Sequence, residues 1–183
     1  MKVDWEIDKS WTLFLDRDGV INERIMGGYV IDKSQFQFKE KAVESLSQLT
    51  KKFAHVFIVT NQQGVGLGRM SEQQLNEIHE FMISEISDSG GSISKVYAAI
   101  ELKNEWSEMR KPKPKMALMA QEEFPDISFD KSIMVGDTDS DIRFGKNLGM
   151  KTVLILTEEK TSEKPDIIVS SLHELNNLIS KKA

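Results

Sequence analysis

Residues 11–20 read WTLFLDRDGV, and the fold and the chemistry both turn on how Asp16-Arg17-Asp18-Gly19 leaves the run before it. Trp11 to Leu15 is a short, mostly apolar run that ends on an acid, the pattern of a buried strand. An extended chain sends residues i and i+2 to the same side, so Asp16 and Asp18 can enter one cavity where strand becomes turn. Gly19 relaxes the backbone immediately behind them.

The rest of the chain alternates in the same way. Lys41–Phe53 places Ala42, Val43, Leu46, Leu49 and Phe53 on one helical face, and Val56–Val59 is the next strand, stopping at Thr60. Ser71 and Gln74 form a capping box ahead of Leu75, Ile78, Phe81, Met82 and Ile86, and Gly90-Gly91 closes that helix. A strand over Ile93–Ile100, a helix over Lys115–Phe124, a strand over Ser132–Val135 and a helix over Asp141–Leu148 follow. Strands near Thr152–Leu156 and Ile167–Val169 come next, and Ser171 with Glu174 opens a last helix as a second capping box.

Short strands separated by amphipathic helices predict an α/β fold: a Rossmann-like parallel sheet with helices on both faces. Such sheets bind ligands beyond the carboxyl ends of their strands, where Asp16, Thr60 and Asp137 all stand. Gly19–Lys39 is polar and irregular and is expected to form a loop or small flap over that site, with GGYV (27–30) as a hairpin candidate.

Composition excludes more than it assigns. The 183 residues suit a single domain spanning 1–183, and 39% hydrophobic with 29% charged residues is ordinary for a globular protein. With no cysteine there are no disulfides, thiolate nucleophile or Cys-ligated zinc. No apolar run reaches the roughly 20 residues of a membrane span. The opening MKVDWEIDKS carries acids instead of an apolar core, so a cytoplasmic location is expected. A net charge of −5 disfavours an extended nucleic-acid partner but not a local phosphate pocket. A monomer is the default.

Two carboxylates as close as Asp16 and Asp18 repel unless a cation offsets them, and Mg2+ takes oxygen ligands and bridges to phosphate. Asp16, at the strand end, is placed to attack phosphorus and form an aspartyl-phosphate. Asp18 would protonate the leaving oxygen and later deprotonate water, its main-chain carbonyl helping to hold the metal. In VGDTDSD (135–141), Asp137 is the expected direct ligand, Asp141 is expected to orient Asp137 or Lys111 from behind, and Asp139 is a helix-cap candidate. In TNQQGVGLG (60–68), Thr60 and Asn61 can donate to a transferring phosphoryl oxygen, and Gln62 joins them as a substrate-binding candidate. In MRKPKPK (109–115), Lys111 neutralises the nucleophile and Arg110 grips an anionic group of the substrate. His79 falls among Ile78, Phe81 and Met82, so packing outweighs catalysis as its reading.

Taken in order, DRDGV, VTNQQG, RKPKP and VGDTDSD resemble the haloacid-dehalogenase-like phosphatases over Phe14 to about Ile155. The resemblance implies Asp16 as nucleophile, Asp18 as acid/base, Thr60 as phosphate binder, Lys111 as the basic group and Asp137 as a magnesium ligand. DRDGVIN, GYV and RKPKP look most like the branch that handles D,D-heptose 1,7-bisphosphate or histidinol phosphate. On that pattern the spacing from Asp16 to Thr60 leaves room for a flap but no large cap domain. The expected substrate is a phosphorylated small molecule, with a heptose bisphosphate first, histidinol phosphate next, and a nucleic-acid 3′-phosphate behind them. A phosphate-responsive interaction protein that holds phosphate on aspartate is the alternative outside enzymology.

Two departures stand out. Relatives of this branch commonly carry a zinc-binding Cys/His loop before RKP, and YAAIELKNEWSEMRKP (97–112) has neither residue type. Leu67 stands where an arginine is frequent.

Overall fold

The computed structural model describes residues 5–104 and 106–180. Six strands form one fully parallel sheet in the order β3-β2-β1-β4-β5-β6: β1 (Thr12–Leu15), β2 (His55–Asn61), β3 (Lys95–Ala99), β4 (Ser132–Gly136), β5 (Lys151–Ile155) and β6 (Ile167–Val169). Five helices join them: α1 (Ala42–Leu49), α2 (Glu72–Asp88), α3 (Lys115–Glu123), α4 (Asp139–Asn147) and α5 (Leu172–Ser180).

Strand alternation explains the two-sided burial. Leu13, Leu15, Val56, Ile58, Ile133, Val135, Val153 and Ile155 face one way, into a core with Leu46 and Leu49 of α1, Leu75, Ile78, Met82 and Ile86 of α2, and Leu172 and Leu175 of α5. Phe14, Phe57, Val59, Tyr97 and Met134 face the other, against Met116, Ala117 and Ala120 of α3 and Phe144 of α4. A strand buried on both faces has no polar alternation, which is why these segments read as continuous apolar runs.

The chain runs β1, β2, β3 to one edge and then returns to place β4 on the other side of β1. The reversal opens a crevice between the carboxyl ends of β1 and β4. Register fixes its depth: Leu15 pairs with Val135, and the Asp16 amide donates to the Val135 carbonyl at 2.9 Å. Asp16 and Asp137 therefore leave adjacent strands at nearly the same level.

All the anticipated strands and helices are present, with bounds that differ for physical reasons. α1 stops at Leu49, not Phe53, because the Ala54 amide must turn to pair with the Trp11 carbonyl; Phe53 still reaches the core from the turn. α4 starts at Asp139, with Thr138 as its cap, so Asp139 is not the cap residue. Asp139 instead accepts from the Ser162 and Glu163 amides at 2.8 and 3.0 Å, tying down the loop after β5. At α5, the Glu174 amide donates to Ser171 Oγ, but the Glu174 carboxylate takes the Ser170 amide, one residue outside the expected box. GGYV forms no hairpin: the Gly28 amide turns back to the Ile25 carbonyl, and the flap is closed at its base by single bridges of Asn22 to Asp18 and Phe38.

Candidate active site

Asp16, the first residue past β1, is 6% exposed. Its Oδ1 lies 2.9 Å from Lys111 Nζ. Lys111 is 2% exposed, and its ammonium is fully used: it also donates to the Val59 carbonyl at 2.6 Å and meets Asp141 Oδ1 at 2.6 Å. Burial alone would lower the Lys111 pKa, but the Asp141 and Asp16 carboxylates offset that and hold it above its usual value. Burial pushes Asp16 upward, Lys111 opposes that push, and the nearby Asp141 and Asp18 charges reinforce it.

Asp141 is the hub behind these groups. Its Oδ2 accepts from the Asp137 and Thr138 amides at 3.2 and 3.0 Å while Oδ1 holds Lys111, so it orients both the lysine and the backbone of Asp137. Gly136 is needed for this approach, since a Cβ there would collide with the Asp141 side chain. Gly19, at φ +89°, is needed likewise beside the Asp137 carboxylate.

Asp137 is 1% exposed and its pKa is raised to about 7, first by burial and then by the Asp16 charge, with Arg24 pulling the other way. Carboxylate oxygens of Asp16, Asp137 and Asp141 all lie within 4.8 Å of one another. Three buried acids so close, two of them pushed upward, fit a hard cation with oxygen ligands better than they fit one another.

Asp18 is treated differently from Asp16. Both its oxygens receive Arg17 Nη2 at 2.9 Å, Asn22 Nδ2 adds 2.9 Å and Gln62 Nε2 adds 2.7 Å. Burial raises its pKa, but the Arg17 charge and these hydrogen bonds more than offset it and hold the carboxyl below its usual value. Its side chain is outside the three-acid cluster, whereas its carbonyl oxygen points toward it and accepts Arg24 Nη2 at 3.0 Å.

Thr60 is 1% exposed; its Oγ1 accepts Gln62 Nε2 at 2.9 Å, which leaves the hydroxyl proton to donate into the cavity it lines. Asn61 holds the Lys111 segment by its side chain, accepting the Lys111 amide at 3.0 Å. Gln62 faces Asp18 and Thr60 and does not line the cavity, whereas Gln63 does. Arg110 lines it too, with a buried Nη1 that has no partner. The cavity is about 670 Å³ and spans Asp16, Thr60, Lys111 and Arg110, with Lys103 and Lys160 also in its lining.

Two arginines of the site were not picked out from the sequence. Arg17 had a signal: an arginine set between two acids at the end of a buried strand has to find its counter-charge inside the protein. It is 0% exposed, clamps Asp18 and donates Nη1 to His79 Nε2 at 3.2 Å. His79 is thus a buried acceptor supporting the clamp, consistent with packing over catalysis. Arg24 carried no signal within an irregular loop.

The loop before Arg110 shows what shapes this wall in a chain without cysteine. Ser107 Oγ donates to the Leu102 carbonyl and accepts the Asn104 amide at 3.2 Å, and the Trp106 amide closes on Asn104 Oδ1 at 2.8 Å. Glu101 Oε1 accepts the Met109 amide at 2.9 Å, while the Gly66 amide donates to the Ile100 carbonyl at 3.0 Å.

A sheet whose switch point presents one lysine-paired acid, a second clamped acid and a cluster fit for a cation defines a phosphoryl-transferring hydrolase, and this chain belongs to the haloacid-dehalogenase-like phosphatases. A family model described as "HAD-hyrolase-like" matches residues 108–175. The D-glycero-alpha-D-manno-heptose-1,7-bisphosphate 7-phosphatase of Campylobacter jejuni is 34% identical over 174 residues, 95% of this chain and 98% of that relative. The D-glycero-beta-D-manno-heptose-1,7-bisphosphate 7-phosphatase of Pasteurella multocida is 36% identical over 178 residues, 91% and 95% of the two chains. In fold, the chain is similar to the D,D-heptose 1,7-bisphosphate phosphatase of B. bronchiseptica solved with magnesium and phosphate, at a TM-score of 0.83 and 21% identity over 94% of this chain and 99% of that one. Among the described residues no helix is long and apolar enough to cross a membrane.

Proposed function

We propose that this chain removes a phosphate from a phosphorylated heptose, with the 7-phosphate of D-glycero-D-manno-heptose 1,7-bisphosphate as the leading substrate. The observation that carries the reading is Asp16, held by Lys111 at 2.9 Å and facing a cavity whose lining also includes Arg110 with an unpartnered Nη1. One end of such a cavity handles the reacting phosphate, and the unspent cationic groups favour a substrate with a second anionic group. Its volume suits a metabolite of this size. Relatives named for either anomer match at similar identity, so the anomer preference of this chain is assigned to neither.

Asp16 Oδ attacks phosphorus, and the sugar oxygen leaves as the aspartyl-phosphate forms. Lys111 favours the ionised form of the nucleophile and balances its charge, and the Thr60 hydroxyl donates to a phosphoryl oxygen. Asp18 delivers a proton to the leaving oxygen and then takes one from the water that hydrolyses the intermediate. Arg17, by favouring the ionised form of Asp18, suits the second of these roles more than the first. Asp16, Asp137 and the Asp18 carbonyl would hold Mg2+, which supplies positive charge to orient and neutralise the phosphoryl oxygens.

The test is a panel of heptose bisphosphate, histidinol phosphate and a 3′-phosphorylated oligonucleotide, with and without Mg2+, followed by phosphorus NMR to see which phosphate leaves. Magnesium-dependent loss of the 7-phosphate at the highest kcat/KM is expected. Preference for the oligonucleotide or histidinol phosphate would replace the substrate, and a stable phosphoprotein without turnover would favour a switch.

A further inference from the structure

Arg24 sits in the flap and makes contacts that a surface arginine has no ordinary reason to make. Its Nη2 lies 2.6 Å from Asp137 Oδ1, 3.0 Å from the Asp18 carbonyl and 3.8 Å from Asp16 Oδ2, and its Nε donates to Asp137 Oδ2 at 3.1 Å. These are the same three residues, through the same carboxylate and carbonyl groups, that the preceding reading assigns to Mg2+. One guanidinium nitrogen therefore stands where the three donors converge. Two cations cannot share that point, because the repulsion between them is largest where the surroundings are least polar.

We propose that Arg24 is an internal counter-cation that competes with Mg2+ for Asp16, Asp137 and the Asp18 carbonyl, so that metal loading releases its guanidinium from the acids. The inference rests on the metal reading above and adds a property of this chain's flap to it. The local backbone suits such a release. The flap is pinned on the near side of Arg24, where the Glu23 amide donates to the Gln37 carbonyl at 2.8 Å and Asn22 bridges Asp18 and Phe38. On the far side, Ile25 and Met26 are 40% and 57% exposed and lead into a glycine pair. The arginine can turn outward while the base of the flap stays closed. Glu159 Oε1 is already 3.9 Å from Nη1 and provides its next counter-charge.

The competition has a readout that does not depend on turnover. Trypsin cleaves after arginine only when the guanidinium is free to enter the protease's own acidic pocket. Limited trypsin digestion of the wild-type protein, followed by mass spectrometry, should show cleavage at Arg24–Ile25 several-fold faster with saturating Mg2+ than without it. The second arm is calorimetry: Arg24→Gln should bind Mg2+ with a dissociation constant about five- to tenfold lower than wild type, the removal of a competitor worth about one pK unit. Unchanged or slower cleavage at Arg24–Ile25 on adding Mg2+ overturns the proposal, even if Arg24→Gln binds the metal more tightly, because loss of a nearby positive charge alone would do that. Unchanged affinity in a folded Arg24→Gln variant overturns it as well. Failure of both proteins to bind Mg2+ would remove the metal reading itself, an outcome distinct from binding that ignores Arg24.

Discussion

The floor of the cavity and its wall are made of different material. On the floor, Asp16, Thr60, Lys111 and Asp141 are 6%, 1%, 2% and 0% exposed, and Lys111 ties Asp16 at a strand end to Asp141 in the first turn of α4. On the wall, Ile25 of the flap is 40% exposed and Lys103 of the loop before Arg110 is exposed as well, and the order there comes from hydrogen bonds within short loops, several of them to the side chains of Ser107, Asn104 and Glu101. Floor residues are held by partners far away in sequence, such as Asn61 and Lys111, while wall residues are held mainly by near neighbours. On the proposed reaction the difference gives them separate tasks: the floor would perform chemistry common to any phosphate monoester, and the wall would decide which alcohol carries that phosphate.

The sharpest way to break this division is at Asp16, the proposed nucleophile. Asp16→Asn keeps the size and shape of the side chain but removes its charge, and kcat should fall by about 10³-fold or more on every phosphate ester, large or small. Phosphate release assayed with circular dichroism as a folding control checks this; a variant that loses only its sugar substrate would place the chemistry elsewhere. Lys111→Met should follow in size. It strands Asp16 and Asp141 as buried acids without their cation and should cost about 3–5 kcal/mol in denaturant unfolding. A loss within experimental error would mean that the floor is not an electrostatic unit.

Much of the floor was legible because its residues lie at the ends of apolar runs, where position along the chain is position in space. WTLFL and SIMV pointed to β1 and β4, and with them to Asp16 and Asp137 as neighbours. Asp141 was legible as a supporting group because the third residue of a helix reaches back over the helix's own start. What stayed hidden depended on side chains choosing among partners. Gln62 reads like Gln63 in the sequence, yet extended backbone turns it inward to Asp18 while Gln63 reaches Tyr29. Arg24 was hidden because an irregular loop has no period from which a direction can be read. The failed hairpin at GGYV has the same origin: two glycines permit many turns, and the Ile25–Gly28 turn won.

A smaller effect tests the layer beneath the floor. His79 is 7% exposed with its pKa lowered to about 3, chiefly by burial and then by the Arg17 charge. An unfolded histidine near 6.5 binds protons that the folded one refuses, so stability is full above that value and is lost as pH falls through the window from 6.5 to about 3. Between pH 6.5 and about 5.5 the loss should be about 1 kcal/mol. His79→Gln, which can still accept from Arg17, should flatten that part of the stability curve in urea titrations. An equal slope in both proteins would show that the histidine is accessible to protons, and that the Arg17–His79 support for Asp18 is loose.

The smallest expected change belongs to the wall and is the most informative about substrate. Ser107 is 5% exposed and organises its loop by donating to the Leu102 carbonyl and accepting the Asn104 amide. Ser107→Ala leaves a carbonyl and an amide without that partner, at a local cost of about 1 kcal/mol. The hydrogen bonds of Ser107 go to Leu102 and Asn104, neither of them a floor residue, so the reacting phosphate should be unaffected. Loosening the wall should raise KM for the heptose bisphosphate about three- to tenfold, while kcat stays within about twofold, the signature of lost binding shared by ground and transition states. A minimal phosphate monoester, too short to reach the wall, should show no change in either constant. If kcat fell equally for both substrates, the wall would be coupled to Lys111 through the Met109–Lys111 chain segment, and the division between shaping and chemistry would fail at the residue where the two regions join.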